Sequence, residues 1–343
     1  MVKNMNNNFH YYKAIELEKY FSVRADEIKI GQQVQTIDAT DPIDAIKNSS
    51  AKYILIGIPE DIGIRANLGK PGAITAWEQS LSALLSMQSN QFLNGKEILI
   101  LGYFDFTTLI QQSENKSIEE LRETTAQIDE VVYQFIQSIY QNGKELIVIG
   151  GGHNNAYGLI KGIAKANANA INVINIDPHS DYRNKEGRHS GNGFRYAKEE
   201  GYLKNYAMFG LHESYSPASV TADLLNNSEI RCFTYEEIKI RNKYTMLNAL
   251  DSAIEFINDD LCGIEIDLDG IENIPASAAT PCGWSTGEIR NILHHASSRL
   301  TVAYLHLAEG AEELNPKVNT VGKLNAYLIS DFIKARNAYT PKK

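Results

Sequence analysis

The stretch "INVINIDPHSDYRNKEGRHSGNGF", Ile171–Phe194, begins as a core strand and ends as something chemically different. Ile171, Val173, Ile174 and Ile176 are β-branched and apolar, the composition of a strand buried on both faces. Asp177, His179 and Asp181 then follow at every second position. In an extended segment such residues share one side. A carboxylate withdrawn from water without a partner costs several kcal/mol, so two of them beside an imidazole need a strong compensating charge.

Working outward, seven further apolar runs flank this one: KYILIGI, KEILILGYF and KELIVIG before it, NYAMFGL, EIRCFTY, LCGIEIDLD and LTVAYLHLA after it. Longer amphipathic stretches lie between them. SIEELRETTAQIDEVVYQFIQSIYQNG has apolar residues three and four apart and closes on Asn142-Gly143, a helix stop; YTMLNALDSAIEFIND is a second example. Short β runs alternating with helices imply parallel strands joined by crossovers and covered on both faces. The expected fold is therefore α/β, a three-layer α/β/α sandwich on a mainly parallel sheet of about eight strands. Residues 1–50 are polar, with one helical pattern from Tyr12 to Phe21. They read as an amino-terminal extension that packs on the main domain or is partly mobile; residues 51–343 read as one domain.

The chain has 343 residues, 43% hydrophobic and 22% charged, enough for a full core. No stretch approaches the roughly 18 apolar residues of a membrane span, and MVKNMNNNFHYYK has no signal-peptide apolar region. A cytoplasmic location is expected. Cys232, Cys262 and Cys282 form no C-x-x-C pair, which argues against both a disulfide framework and a thiolate zinc site. A net charge of −9 without a basic block gives nucleic acid and anionic membranes little to bind.

In open α/β sheets functional groups gather where strands end and loops leave the core. Three strand exits carry unusual chemistry. GGGHNNAYG places His153 beyond three glycines, the second exit holds Asp177, His179 and Asp181, and CGIEIDLDG sets Asp267 and Asp269 two apart on one side. Hard oxygen donors mixed with imidazole suit a divalent ion such as Mn²⁺. Four carboxylates exceed the needs of one ion, whereas two ions sharing bridging carboxylates would use them all. Each piece alone has a blander reading: a structural histidine, a nucleotide loop, a solvated strand end. The G-x-G-x-x-G spacing is missing, however, and DLDGIEN does not fill the oxygen positions of a calcium loop.

These three segments, in this order, resemble the signature motifs of the ureohydrolase superfamily (arginase, agmatinase, formimidoylglutamase), whose members carry a dinuclear manganese site on an α/β/α sandwich. The resemblance runs from about Lys52 to Asn315; GIPEDIGIRANLGKPGA, residues 57–73, is similar to the first strand and substrate-side loop. It implies two Mn²⁺ per subunit, with other divalent ions possible. His153 and Asp181 would hold one, His179 and Asp269 the other, and Asp177 and Asp267 would bridge them. Asp181 would also accept a hydrogen bond from the hydroxide shared by the ions. Glu309, in LHLAEGAEELN, matches the glutamate that binds the cationic nitrogen group of the substrate. Asp181 and Glu309 are thus the implied catalytic pair. A trimer or hexamer is implied as well.

GGGH in place of GGDH, Arg183 two residues after Asp181, and SGNGF (residues 190–194) are similar to the formimidoylglutamase branch. That branch implies hydrolysis of N-formimidoyl-L-glutamate to glutamate and formamide, a step of histidine catabolism. Carboxylates on such a substrate need positive or polar partners, for which Arg65, Arg183, Arg195 and Asn192 are candidates; the alternative for each arginine is loop bracing. The sequence departs from the family at Glu265, usually a small Ser or Thr, and at Asn154-Asn155, often acidic in the branch. It departs again after Asp269, where GIENIPASAATPCGW replaces an APGVSAP-like loop. His189 is a weaker candidate, for a general acid, against a solvent-facing role. Trp77 and Trp284 read as packing residues. A guanidino-compound hydrolase releasing urea, and a metal-retaining protein without turnover, are the competing readings.

Overall fold

A computed structural model describes residues 8–37, 42–140, 143–257, 260–311 and 319–339. Asn142 and the late motif beyond Ala311 lie outside the described residues. Each of the eight apolar runs is a strand, and a ninth, Phe9–Tyr11 (β1), joins them at an edge. The others are Tyr53–Gly57 (β2), Ile98–Phe104 (β3), Glu145–Ile149 (β4), Ile171–Ile176 (β5), Leu203–Leu211 (β6), Ile230–Thr234 (β7), Cys262–Asp267 (β8) and Val302–Ala308 (β9). Their order is β1-β3-β2-β4-β9-β8-β5-β6-β7. Within the sheet only β1 runs antiparallel, against β3; the other strand pairings are parallel.

Strand period two divides the apolar runs between two cores. Ile147 and Ile149 of β4 enter one hydrophobic cluster, Leu146 and Val148 the other. Helices Ala76–Leu85, Met246–Ile257, Thr286–Ser297 and Thr320–Ala338 cover the first face. Ile118–Ile139, Asn155–Asn167 and Gly193–Glu199 cover the second, which completes three layers. Ser117 and Glu120 cap Ile118–Ile139 reciprocally, Ser117 Oγ accepting from the Glu120 amide and Glu120 Oε2 from that of Ser117. That helix lies hard against Asn155–Asn167, because a Cβ on Gly158 would sit 2.8 Å from Val132 Cγ1 and one on Gly162 2.8 Å from Ile136 Cβ. Trp284 stacks on Phe209 at 5.3 Å and Trp77 on Tyr12 at 6.4 Å, both as core residues.

The helical pattern of Tyr12 to Phe21 shortens to one turn, Ala14–Leu17, and a 3₁₀ turn, Glu18–Tyr20. Among the described residues, no helix is long and apolar enough to cross a membrane.

The topology decides where chemistry can collect. β4 and β5 are consecutive in the chain but are separated in the sheet by β9 and β8. Their connections leave in different directions, and a crevice opens above the carboxyl ends of β4, β9, β8 and β5.

Candidate metal centre

Those four strand ends carry the candidate residues. His153 lies in the turn after β4, Asp177 directly follows β5, Asp267 ends β8 and Glu309 follows β9. Gly150 and Gly151 take φ values of 87° and 76°, which bend the chain sharply enough to return His153 over the sheet. Its Nδ1 stands 3.1 Å from Asp177 Oδ2, 3.0 Å from Asp181 Oδ2 and 3.1 Å from Asp267 Oδ2. His179 Nδ1 is 3.5 Å from the other oxygen of Asp177 and 4.0 Å from Asp269 Oδ2. Three donor groups result: His153 with Asp177, Asp181 and Asp267; His179 with Asp267 and Asp269; and His153 with Glu265 and His306, the only one of the three that shares no aspartate. Within each, the donor atoms lie within 4.8 Å of one another. Asp267 belongs to the first two, and Asp177 presents one oxygen to each of His153 and His179.

Neighbouring groups aim these side chains. Asp177 Oδ1 accepts from the His179 amide at 2.7 Å, and its Oδ2 accepts from Asn175 Nδ2, near the end of β5, at 2.9 Å. Asp267 Oδ1 accepts from the Asp269 amide at 2.7 Å. Asp269 in turn accepts from the Ala278 amide at 2.8 Å and the Ser277 hydroxyl at 3.2 Å. PASAATP, the one part of this loop similar to the family's, thus braces a candidate ligand. Asp181 and Glu309 adopt left-handed backbone, φ 43° and 65°, a conformation that costs a residue with a Cβ about 1–2 kcal/mol. Strain of this kind persists where surrounding contacts impose it, commonly at functional positions.

The electrostatics of the cluster favour added positive charge. Burial pushes the Asp267 carboxyl well above its usual range, and the charges of Asp269 and Asp177 push it further. Burial likewise raises Asp181, with Asp177 adding to it, and raises Asp269 to about 6 against the pull of His179. Burial and Asp269 lift Glu309 to about 8. For His153 burial opposes the charged form, but Asp177, Asp181 and Asp267 outweigh it and hold the imidazolium well above the ordinary value. His179 rises to about 10 against burial, through Asp177. Four buried aspartates around two imidazoles, with no thiolate, fit hard divalent cations.

These directions fix a sign for stability in the cation-free protein. His153, His179 and Glu309 have raised pKa values, so the folded chain keeps protons that the unfolded chain releases. Their contribution is full below the unfolded pKa and is lost as pH rises through the folded one. Between pH 6.5 and 8, each such proton is worth about 1.4 kcal/mol per pH unit. His189 and His212, pushed down chiefly by burial, act below that window. Chelator-treated protein is expected to melt at lower temperature at pH 8 than at pH 6.5, and Mn²⁺ to weaken the slope by displacing the protons of His153 and His179. Thermal unfolding at both pH values checks this; equal midpoints without metal would refute it.

A pocket of about 270 Å³ opens over the donors. Asp181, Asp267, Asp269, His179, Ser277 and Glu309 line its depth, and Asn67, Arg183, Ser190 and Tyr215 stand among its other walls. Glu309 Oε1 accepts from the His153 amide at 2.7 Å, while Oε2 is buried without a partner. The Ser277 hydroxyl is nearby, but its one proton goes to Asp269.

Of the substrate candidates, only Arg183 and Glu309 reach this pocket. Arg183 Nη1 donates to Asn67 Oδ1 at 3.1 Å and Nη2 to Glu186 at 2.9 Å. Arg65 is turned to Asp61 at 3.2 Å and to Ser113. Arg195 binds the Tyr182 carbonyl at 3.0 Å, Glu199 and Asp223. Asn192 accepts from Arg188 and donates to the Gly187 carbonyl at 2.8 Å. All three brace loops instead of lining the wall. His189 is neither solvent-facing nor in the pocket: it is buried, Nδ1 accepting from the Gly191 amide at 3.1 Å and Nε2 lying 3.2 Å from Glu186. Burial, Arg183 and Arg122 push it down to about 4.

One bracing residue was not anticipated. Glu60, fully buried, accepts from Asn155 Nδ2 at 2.6 Å, Asn154 Nδ2 at 3.1 Å and the Ile62 amide at 2.8 Å. Both asparagines after His153 thus donate to one carboxylate at the β2 exit.

The model of the family described as "Arginase family" matches residues 51–334. The formimidoylglutamase of Geobacillus thermodenitrificans is 26% identical over 306 residues, 86% of each chain. Among solved structures, the formimidoylglutamase of Bacillus subtilis superposes with a TM-score of 0.73 at 19% identity, covering 93% of this chain and 95% of that one. A Trypanosoma cruzi formiminoglutamase with Mn²⁺ gives 0.68 at 21%, covering 92% and 100%. At such identities these structural likenesses speak for the fold alone.

Proposed function

Because the chain belongs to the arginase family, we propose that it hydrolyses the formimino C–N bond of N-formimidoyl-L-glutamate, yielding L-glutamate and formamide. Two divalent ions, Mn²⁺ foremost, would be held by His153, Asp177, Asp181 and Asp267 on one side and His179, Asp177, Asp267 and Asp269 on the other. The observation that carries this reading is the convergence of those donors around Asp267, which both groups share. When bound, the ions would supply an activated water and the positive charge that steadies the adduct.

The protein's own residues arrange the rest. Glu309 lines the pocket and its Oε2 is a buried acceptor without a partner, suited to the N–H of a cationic amidine. Arg183, 48% exposed at its side chain, would take a substrate carboxylate, exchanging part of its bond to Glu186. Acid in the depth and a cation farther out set a polarity that matches an amidinium carrying carboxylates on its far end. Asp181, poised by its left-handed backbone beside His153, would accept a proton from the attacking water. Water adds its oxygen to the formimino carbon, the bond to the glutamate nitrogen breaks, and that nitrogen leaves with a proton as the amine. The free thiols Cys232, Cys262 and Cys282 suit a reducing compartment, and we place the reaction in the cytoplasm.

Product analysis decides between substrates. With Mn²⁺-loaded protein and a panel of amidines, stoichiometric formamide and glutamate without ammonia is the expected outcome. Urea from a guanidino compound would replace this reading with the arginase-like one. Absence of turnover with the whole panel would favour a metal-retaining binding protein.

A further inference from the structure

Beneath the candidate metal donors lies a buried polar layer to which the hydrolytic scheme assigns no role. Glu265 sits two residues before Asp267 on β8, on the same face and one pleat deeper into the sheet. It is fully buried. Its Oε1 accepts from the Tyr304 hydroxyl at 2.6 Å, and its Oε2 lies 2.6 Å from His306 Nδ1. Glu265 and His306 are register partners in the adjacent strands β8 and β9. The other ring nitrogen of His306 reaches the Gly150 carbonyl at 3.3 Å, in the turn that delivers His153.

The same carboxylate approaches His153 from behind. Glu265 Oε2 is 3.3 Å from His153 Nε2, too long or bent for a well-formed hydrogen bond, and that buried nitrogen has no other partner. The two ring nitrogens are therefore divided. Nδ1 faces three aspartates, and Nε2 faces Glu265 alone. A neutral histidine ligand offers its lone pair from one nitrogen only when the other carries the proton, and an acceptor for that proton fixes both tautomer and ring orientation.

We propose that Glu265 is a positioning residue for the metal centre: it accepts the Nε2 proton of His153, so that Nδ1 is presented lone pair first to the cation shared with Asp181. Through His306 and Gly150 it also holds the turn from which His153 projects. Packing alone does not require it: a buried carboxylate, even one held by Tyr304 and His306, costs more desolvation than an apolar side chain of similar volume filling the space. The inference rests on the metal-hydrolase reading above, and its test separates the two.

Mn²⁺ titration of the full-length wild type and Glu265→Gln, followed by metal content and by electron paramagnetic resonance, provides the measurement. The variant is expected to bind one of its two ions about 10–100-fold more weakly. At Mn²⁺ concentrations that give the wild type a spin-coupled pair, it should show an uncoupled single-ion spectrum. The thermal midpoint of the chelator-treated protein should stay unchanged. If Glu265→Gln does not fold, Tyr304→Phe, which removes one donor to Glu265 and leaves the ring packing, should weaken the same ion several-fold. Wild-type affinity for both ions in whichever variant folds overturns the proposal, as does an equal loss at both sites with a lowered metal-free midpoint. A wild type that takes up no Mn²⁺ at all overturns the metal reading itself.

Discussion

Replacing Asp267 with alanine should leave a folded protein that retains neither ion and turns over roughly 10⁴-fold more slowly, the several kcal/mol of charge stabilisation that a metal pair supplies. The reason is position. Asp267 is the carboxylate common to both aspartate-bearing donor groups, with Oδ2 3.1 Å from His153 Nδ1 and Oδ1 fastened to the Asp269 amide. Its loss removes a donor from each cation and frees the backbone that aims Asp269. The substitution should not destabilise the metal-free fold. Burial, Asp269 and Asp177 oppose ionisation of Asp267, and relief of that cost offsets the lost contact to His153. Elemental analysis and thermal unfolding in chelator check both halves. An Asp267→Ala protein carrying two ions per chain would contradict the shared assignment, and a lower metal-free midpoint would contradict the repulsion argument.

Glu309→Gln should behave differently: full metal content, with kcat/KM lowered about 10²–10³-fold, the loss expected when a charged, buried hydrogen bond to a cation is removed. The amide can still accept from the His153 N–H through one oxygen, so the shape of the turn survives. What changes is the unpartnered atom. Oε2, now a buried acceptor without a partner, becomes an NH₂ that repels an amidinium. Steady-state kinetics beside metal analysis checks this. Unaltered kcat/KM at two ions per chain would remove Glu309 from substrate binding.

Much of this arrangement is readable from the amino-acid sequence, for an identifiable reason. Strands buried on both faces must be continuous apolar runs, so acids placed at their ends stand out, as Asp177 and Asp267 do after INVINI and within CGIEIDLD. The order of the strands is not readable in this way. Nothing local in LTVAYLHLA says that β9 inserts between β4 and β8, yet that insertion brings Glu309 beside His153. The three-residue β1 is likewise held by backbone pairing with β3 and leaves too short a pattern to see. The partners of the arginines are the least legible part. A sequence shows the charge of Arg65 and Arg195 but not that Asp61, Ser113, Glu199 and Asp223 already engage them. Conversely Glu60 gives no sign of burial in the sequence, and Glu265, inside the apolar run of β8, gives no sign of its partners Tyr304 and His306.

The central claim is that donors from three strand ends converge on a pair of adjacent cations. Anomalous scattering at the manganese edge, from crystals of the Mn²⁺-loaded protein, tests it most directly. Two peaks roughly 3.5–4 Å apart are expected, one against His153 Nδ1, the other against His179 Nδ1, with Asp267 between them. A single peak, or two peaks away from these side chains, would contradict the account.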